Sequence, residues 1–452
     1  MPLPSPTPVF PLALLASRRA EVQRQMRARG GGVLVLPAMP EAMRNWDVEH
    51  KYRADSDLFW LTGFEEPEAV AVLAADGDKP FTLFVRPRDP DKEVWNGRRA
   101  GVEGARDCFG ADQAFPIEKL DGELLRLLGN SKVLWYRLGG FDPAFDARIS
   151  RTLGALRRRV RAGVDAPARM EDPAQILHEL RLRKDPGELA ALHHAVELTR
   201  RGHLAAMQLG RPGAHEYELQ AALEREYLHG GGRGWGYYPI VAAGRNATVL
   251  HYVENRAHVR EGDLVLIDSG AEVDLYTADV TRTFPASGRF TELQKRAYQV
   301  VLSAADAVIA AARPGATIDG LHQLAVRRLT EGMVELGLLQ AGAGGIDGLI
   351  EESLYRRYYM HRSSHWLGLD VHDAGRYRTG EAEAGARPLE PGMVFTVEPG
   401  LYVAFDDARA PEGLRGLGIR IEDDVLVTEA GCEVLTAAIP RTVAEVEAAC
   451  TR

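Results

Sequence analysis

The sequence predicts two domains: an α/β half, then a half that combines long helices with late-clustering strands. Three observations carry this. The chain has 452 residues, which at about 100–200 residues per domain implies two to three domains. Up to about residue 175, short apolar runs between turn residues alternate with helical patterns, as in an α/β layer. Pro167–Pro173 interrupts that pattern, and the helices beyond it are longer.

The elements follow in order. Residues 1–16 read as a proline-rich arm. Its apolar stretch Val9–Ala16 contains Pro11, and Arg18 and Arg19 follow it. A secretory leader places its basic residues before the apolar run, so the arm is expected to lead into a helix starting near Ser17. Residues 17–174 form the expected N-terminal domain. Val33–Leu36, Val70–Leu73, Phe81–Val85 and Val133–Tyr136 read as buried strands. Arg18–Arg29, Glu118–Leu128 and Phe145–Val160 read as helices, the last carrying Arg157, Arg158, Arg159 and Arg161 on a solvated face.

Residues 175–452 form the expected second domain. Pro186–Gln208, Tyr217–Leu228, Thr291–Ala312 and Asp319–Leu336 read as helices. Thr291 and Gln294 have capping-box spacing, and Pro314-Gly315 is a stop. Leu264–Asp268, Met393–Val397, Leu401–Val403 and Ile419–Val427 read as strands. The glycine-rich stretches Gly230–Gly236 and Gly342–Gly348 read as loops.

Composition excludes several functions. No stretch approaches the roughly 18 apolar residues of a membrane span. The formal charge of -9 argues against a nucleic-acid partner. Cys108, Cys432 and Cys450 are odd in number and far apart, so neither a disulfide framework nor a CxxC site is expected, and a reduced, cytoplasmic setting fits. GxSxG and GxxxxGK[ST] are absent, and Leu182 stands where HExxH after His178 needs histidine. His193 and His194 have no nearby carboxylate cluster and read as surface or packing residues.

The later half instead places acids and histidines inside or beside apolar strands, where a carboxylate is costly unless paired or bound to a cation. Asp268 closes Leu-Val-Leu-Ile-Asp, and Asp279 follows across a turn containing Gly270. His361, His365 and His372 lie in His-Arg-Ser-Ser-His-Trp-Leu-Gly-Leu-Asp-Val-His. Glu398 sits in Val-Glu-Pro-Gly, and Arg420 and Glu422 alternate with Ile419 and Ile421, as on one strand face. Converging carboxylates repel one another unless cations intervene. Oxygen donors plus one imidazole favour Mn²⁺, with Co²⁺ or Zn²⁺ also fitting.

These segments, with His251-Tyr-Val-Glu-Asn, Ala-Asp279-Val-Thr-Arg-Thr-Phe-Pro and Gly-Ile-Arg420-Ile-Glu422-Asp-Asp, resemble the pita-bread metallopeptidases, in particular the Xaa-Pro aminopeptidase (aminopeptidase P) family. Arg44-Asn-Trp-Asp47, Tyr52-Arg53, Asp55-Ser-Asp57 and Leu61-Thr-Gly-Phe-Glu-Glu-Pro-Glu-Ala resemble that family's N-terminal domain, so the likeness spans nearly the whole chain outside the arm. The implied fold is an α/β N-terminal domain followed by an α+β pita-bread catalytic domain. The implied metal ligands are Asp268, Asp279, His365, Glu398 and Glu422, holding two divalent ions. The implied reaction is attack by a hydroxide bridging those ions on the bond between an N-terminal residue and a following proline.

The resemblance also implies roles. Glu398 takes and passes the proton, His251 and His361 position the peptide, and His372 lines the proline side. Arg420 and Asp47 support the ligands, and Tyr402 and Trp95 are pocket candidates. It implies a homo-oligomer, dimer or tetramer, in which a neighbour's N-terminal domain narrows the active site. Prolidase shares the ligand set and is the main rival, although Ser-His-Trp-Leu-Gly favours the aminopeptidase. Metal-free or creatinase-like relatives lack several ligands, and methionine aminopeptidase lacks the long N-terminal domain. The chain departs from the family at Arg362 and Ser363, where Gly and a small apolar residue are usual. Arg362 either faces solvent or meets a peptide carboxylate. The Gly230–Tyr238 segment, with Trp235, is expected to border the entrance.

Overall fold

A computed structural model describes residues 8–140, 142–380 and 385–451. Residues 1–7 of the expected arm lie outside the described residues. Contacts divide the chain into two units, Met1–Arg181 and Leu182–Arg452.

The first unit opens with α1 (Leu12–Ala28), β1 (Val33–Pro37), β2 (Met43–Asn45), β3 (Val48–Glu49) and α2 (Ser56–Thr62). It continues through β4 (Val70–Ala74), β5 (Phe81–Val85), α3 (Pro90–Asn96), α4 (Gly101–Asp107) and β6 (Gln113–Pro116). It closes with α5 (Leu120–Leu128), β7 (Val133–Trp135), α6 (Pro143–Arg157), β8 (Arg169–Glu171) and α7 (Ala174–Arg181). The helix α1 begins before the expected start near Ser17. Pro11 takes its N-cap position, where a missing N–H costs nothing.

The strands form a mixed six-stranded sheet in the order β6-β5-β4-β1-β7-β8. Alternation sends Val33, Val35, Val70 and Val72 to one face, against Leu124 and Leu128 of α5 and Ile149 and Leu156 of α6. The helix α7 groups with this unit for an electrostatic reason. Its Arg181 donates to Asp57 Oδ1 at 2.7 Å, and His178 Nε2 stands 3.1 Å from Asp57 Oδ2. Burial opposes the charge on Asp57, but Arg181 and His178 outweigh it and hold the carboxyl well below its ordinary range.

The second unit contains α8 (Pro186–Leu209), α9 (Glu216–His229), β9 (Ile240–Ala243), β10 (Leu264–Asp268), β11 (Glu272–Val273), β12 (Tyr276–Thr277) and β13 (Thr281–Pro285). Then come α10 (Glu292–Ala311), α11 (Ile318–Glu335), α12 (Gly345–Glu351), β14 (Val394–Val397) and β15 (Gly400–Tyr402). The chain ends with β16 (Gly418–Arg420), β17 (Asp423–Val427), β18 (Cys432–Val434) and α13 (Val443–Cys450). Capping boxes begin α8 at Asp185 and α10 at Thr291. Two antiparallel three-stranded sheets, β13-β10-β9 and β14-β17-β18, are accompanied by the pairs β11-β12 and β15-β16. Leu321 and Ala325 of α11 and Val308 of α10 pack on Phe395, Val397 and Val425 of the second sheet.

Two expectations differ from the structure. Part of Gly342–Gly348, expected as a loop, forms the start of α12. Ile419–Val427, expected as one strand, is two strands in different sheets, so Arg420 and Glu422 do not share a regular strand face.

His203 on α8 is fully buried, and its Nε2 lies 3.1 Å from the Ser269 carbonyl oxygen. That acceptor makes Nε2 the protonated nitrogen. Burial, aided by Arg282, pushes its pKa down to about 4. A His with a lowered folded pKa supports stability above its unfolded value of about 6.5, and that support is lost as pH falls toward the folded value. Thermal unfolding from pH of about 7 to about 4.5 should therefore fall more steeply for the native chain than for His203→Gln. The difference between them corresponds to at most about 3 kcal/mol. Parallel curves would contradict it.

Candidate metal centre

Local geometry brings the acids together. Asp268 ends β10 and pairs in register with Thr281 of β13, and Asp279 lies just before that strand. The hairpin β11-β12 between them turns on Asp274 and Leu275, both at positive φ. A Cβ on Gly270 would overlap the Ala278 carbonyl oxygen, so only glycine lets the two backbones approach here. His365 is laced to β14: Thr396 N–H donates to its carbonyl at 2.9 Å, and its own N–H donates to Thr396 Oγ1 at 3.1 Å. Glu398 follows β14, its N–H donating to the Ser363 carbonyl at 2.9 Å. Glu422 occupies the break between β16 and β17. Its N–H donates to the Thr281 carbonyl at 3.0 Å, and its carboxylate accepts from Thr281 Oγ1 at 2.6 Å.

Ligand atoms of Asp279, His365 and Glu422 all lie within 4.8 Å of one another. Tyr237 Oη stands 2.7 Å from Asp268 Oδ1 and 2.5 Å from Asp279 Oδ1. Arg420 Nη2 donates to Asp268 Oδ2 at 2.5 Å. Asp268, Asp279, His365, Glu422, Tyr237 and Arg420, and with them Glu398, His251, His361 and His372, line one cavity of about 880 Å³; Thr281 is a buried neighbour rather than a lining residue. Tyr402 is buried, linked to the wall by its hydroxyl. Asp47 and Trp95 belong to the first unit, where both are exposed.

The electrostatics fit a cation. Burial raises the Glu422 carboxyl well above its ordinary value, with Asp279 and Glu398 adding to it. Burial likewise pushes Glu398 up to about 7 and raises Asp279. Hydrogen-bond direction points the same way. His365 Nδ1 lies 3.0 Å from the Trp366 carbonyl, so that nitrogen carries the proton. The Nε2 lone pair then faces Asp279 Oδ2 at 3.2 Å and Glu398 Oε1 at 3.6 Å. A lone pair facing two carboxylates is repulsive unless a proton or a metal lies between. Burial disfavours the proton, yet the hydrogen bond to Asp279 and the charge of Glu398 still push His365 up to about 9. The donor set is thus built around positive charge, and a divalent ion supplies it.

A second network lies beside the ligands. His361 Nδ1 is 2.7 Å from the Arg362 carbonyl and must donate to it. Nε2, 2.9 Å from Tyr402 Oη, is then an acceptor. Arg420 Nη1 donates to the same Tyr402 oxygen at 2.9 Å. Hydrogen bonds therefore run from Arg420 through Tyr402 to His361. Burial, then Arg420, pushes His361 down to about 3, so it is neutral.

Residues 190–429 match Metallopeptidase family M24, and residues 15–135 match the aminopeptidase P N-terminal domain. The chain belongs to metallopeptidase family M24. An Xaa-Pro aminopeptidase of Escherichia coli is 42% identical over 437 residues, covering 95% of this chain and 97% of the relative. Xaa-Pro aminopeptidase 3 of Mus musculus is 33% identical, covering 93% of this chain and 81% of the relative. An aminopeptidase P structure from Pseudomonas aeruginosa superposes with a TM-score of 0.93 at 46% identity, covering 97% of this chain and 98% of that one. A zinc-substituted E. coli aminopeptidase P in complex with product gives 0.92 at 40% identity, with coverage of 97% and 98%. The fold is accordingly an aminopeptidase P-type N-terminal domain followed by an M24 pita-bread domain. As an M24 metallopeptidase the protein is a hydrolase that works with divalent metal ions.

Some residues in or beside the cavity carry little signal in the sequence. Tyr237, touching two ligands, lies inside the Gly230–Tyr238 segment expected only to border the entrance. Thr281 lies in the Ala-Asp279-Val-Thr-Arg-Thr-Phe-Pro segment, but nothing local shows its hydroxyl reaching Glu422. Asp319 and Tyr377, which also line the cavity, carry no local signal.

Proposed function

We propose that this metallopeptidase is an Xaa-Pro aminopeptidase, releasing the N-terminal residue of peptides whose second residue is proline. The observation that carries the reading is the single cavity lined by Asp268, Asp279, His365, Glu398 and Glu422 together with His251, His361 and His372. Those five side chains would hold two divalent ions, and the chemistry such ions would supply is Lewis acidity that makes water a nucleophile near neutral pH. Mn²⁺ suits the oxygen-rich donor set, with Co²⁺ and Zn²⁺ as substitutes.

The chain's own groups do the rest. Glu398 is placed to accept a proton from the attacking water and return it to the leaving nitrogen. Its Oε2 lies 3.5 Å from His361 Nδ1, on the wall that would position the peptide. His251 and His361 are suited to holding the scissile carbonyl as charge develops, and His372 to bordering the proline. Burial, then Arg420, keeps His361 neutral, and the Arg362 carbonyl and Tyr402 hydroxyl orient it. The imide nitrogen before proline carries no N–H. A site that holds the ring against Ile240, Leu250, Val253 and Val371 therefore gives up no donor contact.

Asp47, expected to support the ligands, and Trp95, expected in the pocket, are exposed and outside the cavity lining; a homodimer or homotetramer in which a neighbour's N-terminal domain narrows the entrance remains part of this proposal. Cys108, Cys432 and Cys450 are unpaired, in keeping with a cytoplasmic setting. No helix among the described residues is long and apolar enough to cross a membrane. A peptide panel with added Mn²⁺, Co²⁺ or Zn²⁺ tests the function. First-residue release from Xaa-Pro-Xaa tripeptides and longer peptides is expected. Equal cleavage before other residues would refute it, and turnover confined to Xaa-Pro dipeptides would reassign the enzyme as a prolidase.

A further inference from the structure

Three charged side chains of the cavity lie outside both the metal-ligand set and the His361 network: Asp319, Arg362 and Arg378. The Arg362 guanidinium donates to one oxygen of Asp319. Arg378 stands 3.6 Å from the other oxygen, beyond hydrogen-bond distance. The arginine side chains are 58% and 70% exposed, so the cluster faces solvent. Two cations thus share one carboxylate, and the trio carries a net positive charge beside a centre built of acids.

The trio is joined to the rest of the site by hydrogen bonds and ring contacts. Asp319 lies in the first turn of α11, where the helix dipole favours a carboxylate. The Arg362 carbonyl accepts from His361 Nδ1, and the next residue, Ser363, accepts from Glu398 N–H through its carbonyl. Ser363 Oγ also lies 3.2 Å from His322 Nδ1. Beside Arg378, Tyr377 stacks on Trp366 with ring centroids 5.4 Å apart, and its hydroxyl accepts from Trp366 N–H at 3.1 Å.

An exopeptidase holds the residue it removes at the metal end, so the chain after proline leaves through the mouth. Arg362 directly follows His361, on the wall that faces Glu398. A substrate extends by about 3.3–3.6 Å per residue as it leaves. We propose that Arg362 and Arg378 form a carboxylate subsite on the leaving side of the scissile bond. It selects Xaa-Pro substrates that carry a carboxylate one or two residues beyond the proline. Arginine pairs well with carboxylates through its planar set of donors. Arg378, only loosely engaged by Asp319, is the arm that swings to the substrate. The inference rests on the Xaa-Pro aminopeptidase reading.

The carboxylate could be a chain terminus or an acidic side chain, and two substrate pairs separate these sources. One pair is Xaa-Pro-Gly as free acid and as C-terminal amide. The other is Xaa-Pro-Glu amide and Xaa-Pro-Gln amide. The native enzyme should favour the carboxylate member of at least one pair by about fivefold in kcat/KM. The preference should reside in KM and shrink with added salt. It should fall toward unity in Arg362→Gln and Arg378→Gln, and grow in Asp319→Asn, which releases both arginines. Preference in the first pair identifies the terminus, and in the second the side chain; either supports the subsite. A native ratio near unity in both pairs, or a ratio that survives both arginine substitutions, overturns it while leaving proline-specific cleavage intact. Cleavage of none of the four before proline would bring down the activity reading and the subsite with it.

Discussion

In the Glu398→Gln variant, kcat for an Xaa-Pro tripeptide should fall about a thousandfold, with far-ultraviolet circular dichroism unchanged. The substitution keeps the shape of a side chain whose N–H is tied to Ser363. It removes the negative charge shared by Oε1, 3.6 Å from His365 Nε2, and Oε2, 3.5 Å from His361 Nδ1. General acid–base transfer by a positioned carboxylate contributes roughly 10²–10⁴ in rate. Loss of a metal ligand would add to that, so metal content measured beside kinetics separates the two contributions. A variant that keeps its metal and loses turnover through kcat, with KM little changed, has lost the proton-transfer group. A variant retaining more than about a tenth of native kcat would remove Glu398 from the reaction.

Stripping divalent ions should abolish turnover altogether, and Mn²⁺, Co²⁺ or Zn²⁺ should restore it. The reason lies in the buried charges. Asp268, Asp279, Glu398 and Glu422 converge, and the neighbouring cation Arg420 is engaged with Asp268. Burial raises Asp279, Glu398 and Glu422, so without metal the group is driven to take up protons. Metal binding should release those protons and stabilise the fold. An ion present at about a thousand times its Kd adds about 4 kcal/mol. Calorimetry in two buffers of different ionisation enthalpy would count the protons released. Full activity in protein shown by elemental analysis to hold no metal would refute the assignment.

Much of the fold was legible because it is local. The run Leu264–Asp268 is a strand with the expected ends. The Thr291–Gln294 spacing is a capping box, with Gln294 N–H donating to Thr291 Oγ1 at 3.3 Å. Where local cues conflicted, the reading slipped. Pro11 inside an apolar run reads as a breaker, yet at a helix N-cap it is tolerated. The glycines of Gly342–Gly348 read as a loop, yet a short helix starts among them. Ile419–Val427 has unbroken β character, but the chain crosses between sheets at Glu422. That crossing is a tertiary event, with the Glu422 N–H donating to the Thr281 carbonyl rather than to a ladder partner.

By itself, the sequence determined the chemistry on offer: four acids and an imidazole in apolar surroundings, with His251, His361 and His372 as further candidates in the same half. Carboxylates so placed demand a counter-charge wherever they finish, because desolvation penalises them in any fold. Only the tertiary structure decided which groups meet and which way each proton points. Asp268 and Arg420 touch across 152 residues, and Tyr237 reaches Asp279 across 42. The lone pair of His365 is aimed by a carbonyl, and that of His361 by a carbonyl and a tyrosine hydroxyl. Donor type belongs to a residue and is written in the chain. Hydrogen-bond direction, convergence and the shared charge of Arg362, Asp319 and Arg378 belong to contacts between distant segments, which exist only once the core has packed.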